Sequence, residues 1–410
     1  MHVIALAEFL KRTYFTRLWI IQEVIVSRNP MILFGESTLR WIDLELFLNM
    51  AWANPGLLAG FRISEAVYVA QIERVKKEYK HGDASLLRIL GHSRNSDSSD
   101  PRDQIFGLVS LSNQKNNPLL RPDYLLDRNT IFWNVASQIL NRGSERFRLL
   151  AFSSSSLEGL PSWVPDWNNR TGQTILADVP WFCAGNVDEN TKFQIGSRED
   201  PILRLPGLLF DEVDRKVSTP KIRNFVAGEL LPVTLEEVEQ RKADVGRAEQ
   251  KWLNECRDLA RSVLNQYSHN DIEDAVRKTP VCGFGGPGDP TFKDIETAFT
   301  AFEQAQSWLQ TRGCEPFPLA AEANIYSTNL CIRSNRCFAS TRILRIACIP
   351  EDAISGDIFC IFQGGPVPFI LRRQGNSYRI IGECYVHGEA IMEGNFIKQK
   401  KADLQEICLT

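Results

Sequence analysis

Arg17-Leu-Trp-Ile-Ile-Gln-Glu23 lies close behind Met1, yet it reads like the close of a domain rather than its opening. Around it, Leu6, Phe9, Leu10, Trp19, Ile20 and Val24 recur at mixed spacings of three and four, which suits a helix packed on a sheet. Gln22 and Glu23 interrupt that apolar run. A carboxylate beside Trp19 and Ile20 is costly to bury unless paired, and Arg12 and Arg17 are the nearest partners. The plain reading of Glu23 is a salt-bridged or solvent-facing acid on an amphipathic helix.

The chain has 410 residues, more than one domain usually holds, so two or more units with sizeable cores are expected. A hydrophobic share of 43% and a charged share of 24% are ordinary for a globular protein. The net charge of −3 gives no electrostatic case for nucleic acid or an anionic membrane as partner. No apolar run is long enough to span a bilayer, and Val3–Ala7 is too short for a secretory signal. The ten cysteines sit in apolar settings such as Ala347-Cys-Ile349, as small core residues of a reducing compartment do. The closest pair, Cys331 and Cys337, lacks the spacing of a structural metal site. A cytoplasmic protein without metal is the expectation.

Farther along, Val67, Val69, Ile72 and Val75 mark a helix within Ser64–Lys80, and a short one is expected over Ala84–Gly91. Asp100-Pro-Arg-Asp103 places Asp100 as a helix N-cap with Pro101 at the first position and Asp103 in the first turn; Arg102 completes the motif. It opens a helix carrying Ile105, Phe106, Leu108 and Val109. Asp127–Arg142 repeats the pattern with a stripe of Ile131, Val135, Ile139 and Leu140. In Leu160–Trp167, Pro161 and Pro165 forbid helix, and an extended course puts Trp163 and Trp167 on one face as core plugs.

Strand-like alternation appears at Phe193–Ile195 and Ile202–Leu205. Thr234-Leu-Glu-Glu237 then has capping-box spacing, and Val238, Val245, Trp252, Cys256, Leu259 and Val263 follow at helical intervals. With Phe292–Leu309 this predicts a helical insertion over about 234–312. Gly283-Phe-Gly-Gly-Pro-Gly288 satisfies a dinucleotide pattern literally, but no strand precedes it and Pro287 and Pro290 block a following helix, so a loop is expected. Strands are expected at Leu330–Ile332, Arg336–Ser340, Ile346–Cys348, Asp357–Phe362, Pro368–Arg372 and Tyr378–Val386. Gly356, Gly364-Gly365 and Gly375-Asn376 fall at the turns, and the whole suggests an antiparallel barrel. Its bulk, Phe359, Phe362, Phe369 and Ile380, suffices to fill a small barrel. His387, beside Tyr385 and Gly388, reads as a turn histidine satisfied by backbone, with no nucleophile in an elbow and hence no hydrolase.

Together, Arg17-x-Trp19-x-x-Gln22-Glu23 with Gly35 and Trp41, Asp100-Pro-Arg-Asp103 with Ile105–Val109, Pro122-Asp-Tyr124, Leu160–Trp167 and Gly382-Glu-Cys-Tyr-Val-His-Gly388 resemble, in order, the fungal heterokaryon-incompatibility (HET) domain family. The family's opening Ser-Tyr-x-Trp-Gly-like strand and Ile-Asp-x-x-Cys-Ile-Asn-Gln-like motif do not occur, so the resemblance implies an N-terminally truncated member. Its implied class is α+β: a remnant of a Toll/interleukin-receptor (TIR)-like α/β domain over 1–50, a helical region over 51–170, and a barrel-like domain over 171–400. Without the missing strands, Trp19, Ile20 and Ile21 are expected to be left wet, forfeiting roughly 1.5 to 3 kcal/mol each.

The family's role is nonself recognition linked to programmed cell death, and a chain lacking the first half of the domain is expected to act through contact with a protein partner or not to act at all. Arg17, Trp19, Gln22, Asp100, Arg102, Asp103, Trp163, Trp167, Tyr385, His387 and Gly388 carry over as structural motif residues. Glu23 is the one catalytic candidate: Trp19-Ile-Ile-Gln-Glu23 has the spacing of the Trp-x-x-x-Glu segment in NAD-cleaving TIR-like enzymes, where a carboxylate stabilises the cationic sugar as nicotinamide leaves. No cofactor is expected, and NAD enters only as substrate of that alternative. A small-ligand sensor using the barrel is the third reading.

Overall fold

The structure is a computed structural model that describes residues 9–52, 66–80, 82, 84–141, 143, 145–153, 158–169, 175–186, 191–220, 235–283, 295–311, 317–332, 335–388 and 390–410. The chain is mixed α and β and divides into two compact units, Met1–Glu145 with Asp166–Gly172, and Arg146–Pro165 with Gln173–Thr410.

The described part of the first unit is helical apart from one hairpin. It contains α1 (Thr13–Thr16), α2 (Trp19–Val26), β1 (Met31–Phe34), β2 (Ser37–Arg40), α3 (Trp41–Trp52), α4 (Ala66–Lys80), α5 (Leu86–Ser93), α6 (Asp103–Val109) and α7 (Arg128–Asn141). Val69, Ile72 and Val75 of α4 are buried, as are Ile131, Val135, Ile139 and Leu140 of α7, so both expected stripes face a core. Ser85 caps α5 by accepting from the Arg88 amide at 3.3 Å. The helix expected from Asp100 starts later, at Asp103; Asp100 Oδ1 accepts the Arg102 amide at 2.9 Å, which makes a turn of its own before the helix. The described part of this unit holds a two-stranded antiparallel sheet, with Met31 opposite Arg40 and Phe34 opposite Ser37. The expectation of three wet side chains is corrected: Ile20 and Ile21 are 1% and 0% exposed because α2 packs on α4 and α6, and Trp19 alone is open, at 36%.

The second unit begins with the short helix α8 (Arg146–Ala151). It is built on β3 (Gln194–Ile195) and the 16-residue β4 (Leu203–Ser218). Four helices follow: α9 (Leu235–Val263), α10 (His269–Lys278), α11 (Ile295–Thr311) and α12 (Ala320–Ile332). The helical layer therefore runs past 312, and Leu330–Ile332, expected as a strand, ends α12; a short apolar run is ambiguous between the two states. Thr234 of the capping box and Phe284–Gly288 of the glycine-rich stretch lie outside the described residues. Next come β5 (Arg336–Thr341), β6 (Ile346–Pro350), β7 (Ile358–Phe362), β8 (Phe369–Gln374), β9 (Ser377–Glu383), β10 (Tyr385–Val386), α13 (Asn395–Gln399) and β11 (Gln405–Leu409).

Five of these strands close on themselves in the order β4, β11, β9, β8, β7 and back to β4. Four pairings are antiparallel, but β11 runs parallel to β9, with Leu409 beside Tyr378 and the Thr410 amide donating to Tyr378 O at 2.9 Å. The expectation of a purely antiparallel barrel is thus corrected. A parallel pair needs a long crossover, and the chain from Cys384 through α13 to Leu404 supplies it. β4 serves two sheets: its first half pairs with β11 and β7, and from Val213 on, across a bulge between Val213 and Lys216, it pairs with β5, extending to β6 and β10. Strands approach closely at Gly207, where a Cβ would stand 3.0 Å from Ile407 Cγ1 and 3.1 Å from Cys360 Sγ, so a larger residue would push these side chains aside. Gly375, φ +61°, makes the two-residue turn between β8 and β9 expected from the sequence. Strands β5, β6 and β7 are buried along their whole length. Phe338 and Ile346 join a core with Trp252, Phe299, Phe302 and Tyr326 of the helices, while Ala339, Ile349, Phe359, Ile361 and Ile370 belong to a second core.

Candidate functional site

The expected site residues divide between the units. Arg17, Trp19, Gln22, Glu23, Asp100, Arg102, Asp103 and Trp167 belong to the first, and Trp163, Tyr385, His387 and Gly388 to the second.

In the first unit, motifs far apart in sequence meet. The Leu18 amide donates to Asp97 O at 2.8 Å and Arg17 forms a parallel bridge with Asp97, which fixes the start of α2 against the segment leading into α6. Gln22 Nε2 donates to Gly107 O of α6 and, at 3.1 Å, to Ser110 Oγ. Gly107 suits this approach, since a Cβ there would lie 3.0 Å from Leu18 Cδ2 and 3.7 Å from Trp19 Cη2. Glu23 is exposed and accepts from Tyr14 Oη at 2.9 Å. Partial burial and that bond push the Tyr14 phenol up to about 12. The partner of Glu23 is therefore a phenol, not Arg12 or Arg17.

The Asp-Pro-Arg-Asp motif forms a clasp. Arg102 is bidentate on Asp100, with Nη2 at 2.6 Å from Oδ2, and its Nη1 donates to Tyr124 O at 2.7 Å and Leu126 O at 3.1 Å. Tyr124 Oη donates to Asp103 Oδ1 at 2.6 Å, and this bond, with some burial, pushes the phenol up to about 12. The guanidinium holds the Asp100 carboxyl below its ordinary value. Arg102 and Asp103 thus hold the Tyr124–Leu126 stretch, and Asp100 orients the Arg102 guanidinium.

Trp163 and Trp167 are both buried, yet by a different route from the extended one expected. The Val164 amide donates to Pro161 O at 3.0 Å, so the segment turns, and the two rings enter different units. Trp163 Nε1 donates to Pro201 O at 2.9 Å.

In the second unit, the His387 amide donates to Ile346 O at 2.9 Å, but its ring has side-chain neighbours: Tyr385 Oη 3.5 Å from Nδ1 and Asp274 Oδ2 of α10 3.8 Å from Nε2. Burial lowers the His387 pKa, with Asp274 pulling the other way. Burial also raises Asp274, but Lys278 and Arg277 outweigh it and leave the carboxyl below its ordinary value. Gly388 sits at φ +79° in the turn after the histidine. Beside this group is a residue that sequence reasoning passed over. Glu383, buried, accepts from Arg336 Nη2 at 2.7 Å and from the Leu176 and Ala177 amides at 2.6 and 2.9 Å, while Arg336 Nη1 donates to Glu383 O at 2.6 Å. Burial pushes the Glu383 carboxyl up, and those donors pull against it. Two similar clamps are Arg372 on Asp357, both contacts at 2.8 Å, and Arg345 on Asp211 at 3.1 Å. The available signal was Arg336 as the one charge of β5, Arg336-Cys-Phe-Ala-Ser-Thr341. Among the described residues no His, Cys, Asp and Glu group could hold a metal ion, and no helix is long and apolar enough to cross a membrane.

A cleft of about 970 Å³ lies in the first unit, between the end of α2, the start of α3, the end of α4 and the turn Ser110–Lys115; its lining includes Val24 and Ile25 but not Glu23. The hairpin beside it exposes apolar side chains: Met31, Leu33 and Phe34, and on α3 Ile42, Leu46 and Met50.

No family model matches the chain, and no solved structure matches it. The chain is similar to heterokaryon incompatibility protein 6, OR allele, of Neurospora crassa, with 21% identity over 216 residues covering 44% of this chain. It spans about a third of that protein's length, 31%. The chain thus has distant sequence homology with a fungal heterokaryon incompatibility protein.

Proposed function

We propose that this protein takes part in nonself recognition of the heterokaryon-incompatibility kind, acting in the cytoplasm through contact with another protein, with growth arrest or cell death as the outcome. The observation that carries the reading is the open apolar face of the first unit, where Leu33 is 76% and Met50 69% exposed. Contiguous apolar surface on a folded unit marks an interaction site. The distant homology supports the biological setting, and the free thiols of Cys183, Cys256, Cys282, Cys337, Cys348, Cys360, Cys384 and Cys408 support a reducing compartment.

The test is expression in a fungal host. Growth arrest by the wild-type chain, relieved by Leu33→Asp with Met50→Asp at equal abundance, is the expected result. Arrest that survives both substitutions overturns the contact reading. Purified protein incubated with NAD provides the second arm: nicotinamide release that Glu23→Gln abolishes would replace protein contact with catalysis at α2.

A further inference from the structure

The geometry points to a binding site for a small polyphosphate in the cleft of the first unit. This goes beyond the protein-contact reading and does not depend on it. Five basic side chains, Arg28, Arg40, Lys76, Lys80 and Lys115, line the cleft, and none of its lining residues is acidic. That concentration stands out in a chain whose net charge is −3.

Two of the five are already answered. Lys76 is 2.9 Å from Glu45 and 3.2 Å from Glu73, and Arg40 is 2.7 Å from Asp43 through Nε. Arg28, Lys80 and Lys115 are exposed and make no salt bridge within 4 Å among the described residues; Lys80 has only a longer-range attraction to Glu45, which Lys76 already engages. Three like charges on separate segments, converging on one concavity, repel one another and raise the local potential for an anion. The start of α3 adds to this, because Arg40, Trp41 and Ile42 line the cleft and the first turn of a helix carries a partial positive charge.

Size and wall chemistry narrow the ligand. A volume of about 970 Å³ is at the upper end of the roughly 300–1,000 Å³ typical of small-molecule sites. Matching three cations within that volume takes several charges on one compact molecule, which linked phosphates supply and a single carboxylate does not; lysine and arginine both serve phosphate. Val24, Ile25 and the half-exposed Tyr79 give an apolar side for any organic portion.

The experiment is calorimetric titration of the full chain with inorganic tripolyphosphate and, separately, with ATP, at low and raised salt. Binding that weakens with salt is expected. Arg28→Gln with Lys80→Gln and Lys115→Gln should weaken it by about tenfold or more, Lys80→Gln alone by less, and the exposed second-unit variant Lys398→Gln not at all, with melting unchanged throughout. Tighter binding of ATP identifies an organic phosphate, and equal affinity identifies a free phosphate chain. Absence of binding to both, binding indifferent to the triple substitution, or tighter binding of a single-stranded oligonucleotide than of either probe overturns the proposal.

Discussion

Strand Ile358-Phe-Cys-Ile-Phe362 and strand Met31-Ile-Leu-Phe34 have much the same composition and opposite fates. The first is buried at every position, lying between β4 and β8 in the closed barrel. The second pairs with β2 alone and leaves Met31, Leu33 and Phe34 open to solvent. Apolar composition fixes strand character; whether the strand becomes core or surface is decided by how many neighbours the topology provides. A two-stranded ribbon is marginal by itself and needs cover from elsewhere; Phe34 finds some against Phe9 and Arg12, while Leu33 stays 76% exposed. The polar groups follow the same division. In the second unit, buried Asp211, Asp357 and Glu383 are each clamped by an arginine, whereas Glu23 in the first is exposed and bonded to Tyr14.

The largest expected effect falls on the clamped side. Glu383→Ala leaves the Arg336 guanidinium buried without its acid and should cost about 3–5 kcal/mol in urea unfolding of the full chain; an unchanged midpoint would remove the clamp from the account. Next comes one chemical deletion made in both regions. Leu371→Ala in buried β8 should lose about 2–5 kcal/mol, while Leu33→Ala in the hairpin should stay within about 0.5 kcal/mol. Equal losses would show the hairpin to be as well covered as the barrel. Gln22→Ala, which removes the bonds to Gly107 O and Ser110 Oγ, should cost about 0.5–1.5 kcal/mol.

The smallest effect is a pH slope. Burial holds folded His387 below its ordinary 6.5, so as pH falls the unfolded chain takes up that proton first. Its contribution to stability is complete above pH 6.5 and is lost as pH drops below that value. His387→Gln should flatten this part of the stability profile, and an identical slope in the variant would show that another group titrates there.

Much of this architecture was legible because it rests on local rules. Alternation punctuated by Gly356, Gly364 and Gly375 located β5 through β9, and three-four spacing located α7 and α9. Closure was not legible. Gln405–Leu409 is a short strand behind a charged stretch, and its parallel partner lies across a long crossover that no local pattern encodes. The buried clamps were hidden for the same reason, since Arg336 and Glu383 are 47 positions apart. The motif residues of the first unit were read as structural from their spacing, and in the fold Gln22, Arg102 and Tyr124 with Asp103 make hydrogen bonds between segments that no local pattern specified. The cationic cleft was invisible because its side chains come from α2's exit, α3, α4 and a turn, each unremarkable where it stands.

The contrast between the two strands is tested most directly by hydrogen–deuterium exchange of the full chain. Amides of the Met31–Arg40 hairpin should exchange early while those of β4, β7 and β8 remain protected to the level of global unfolding. Hairpin amides as slow as those of the barrel would contradict the account, because the apolar face would then already be covered.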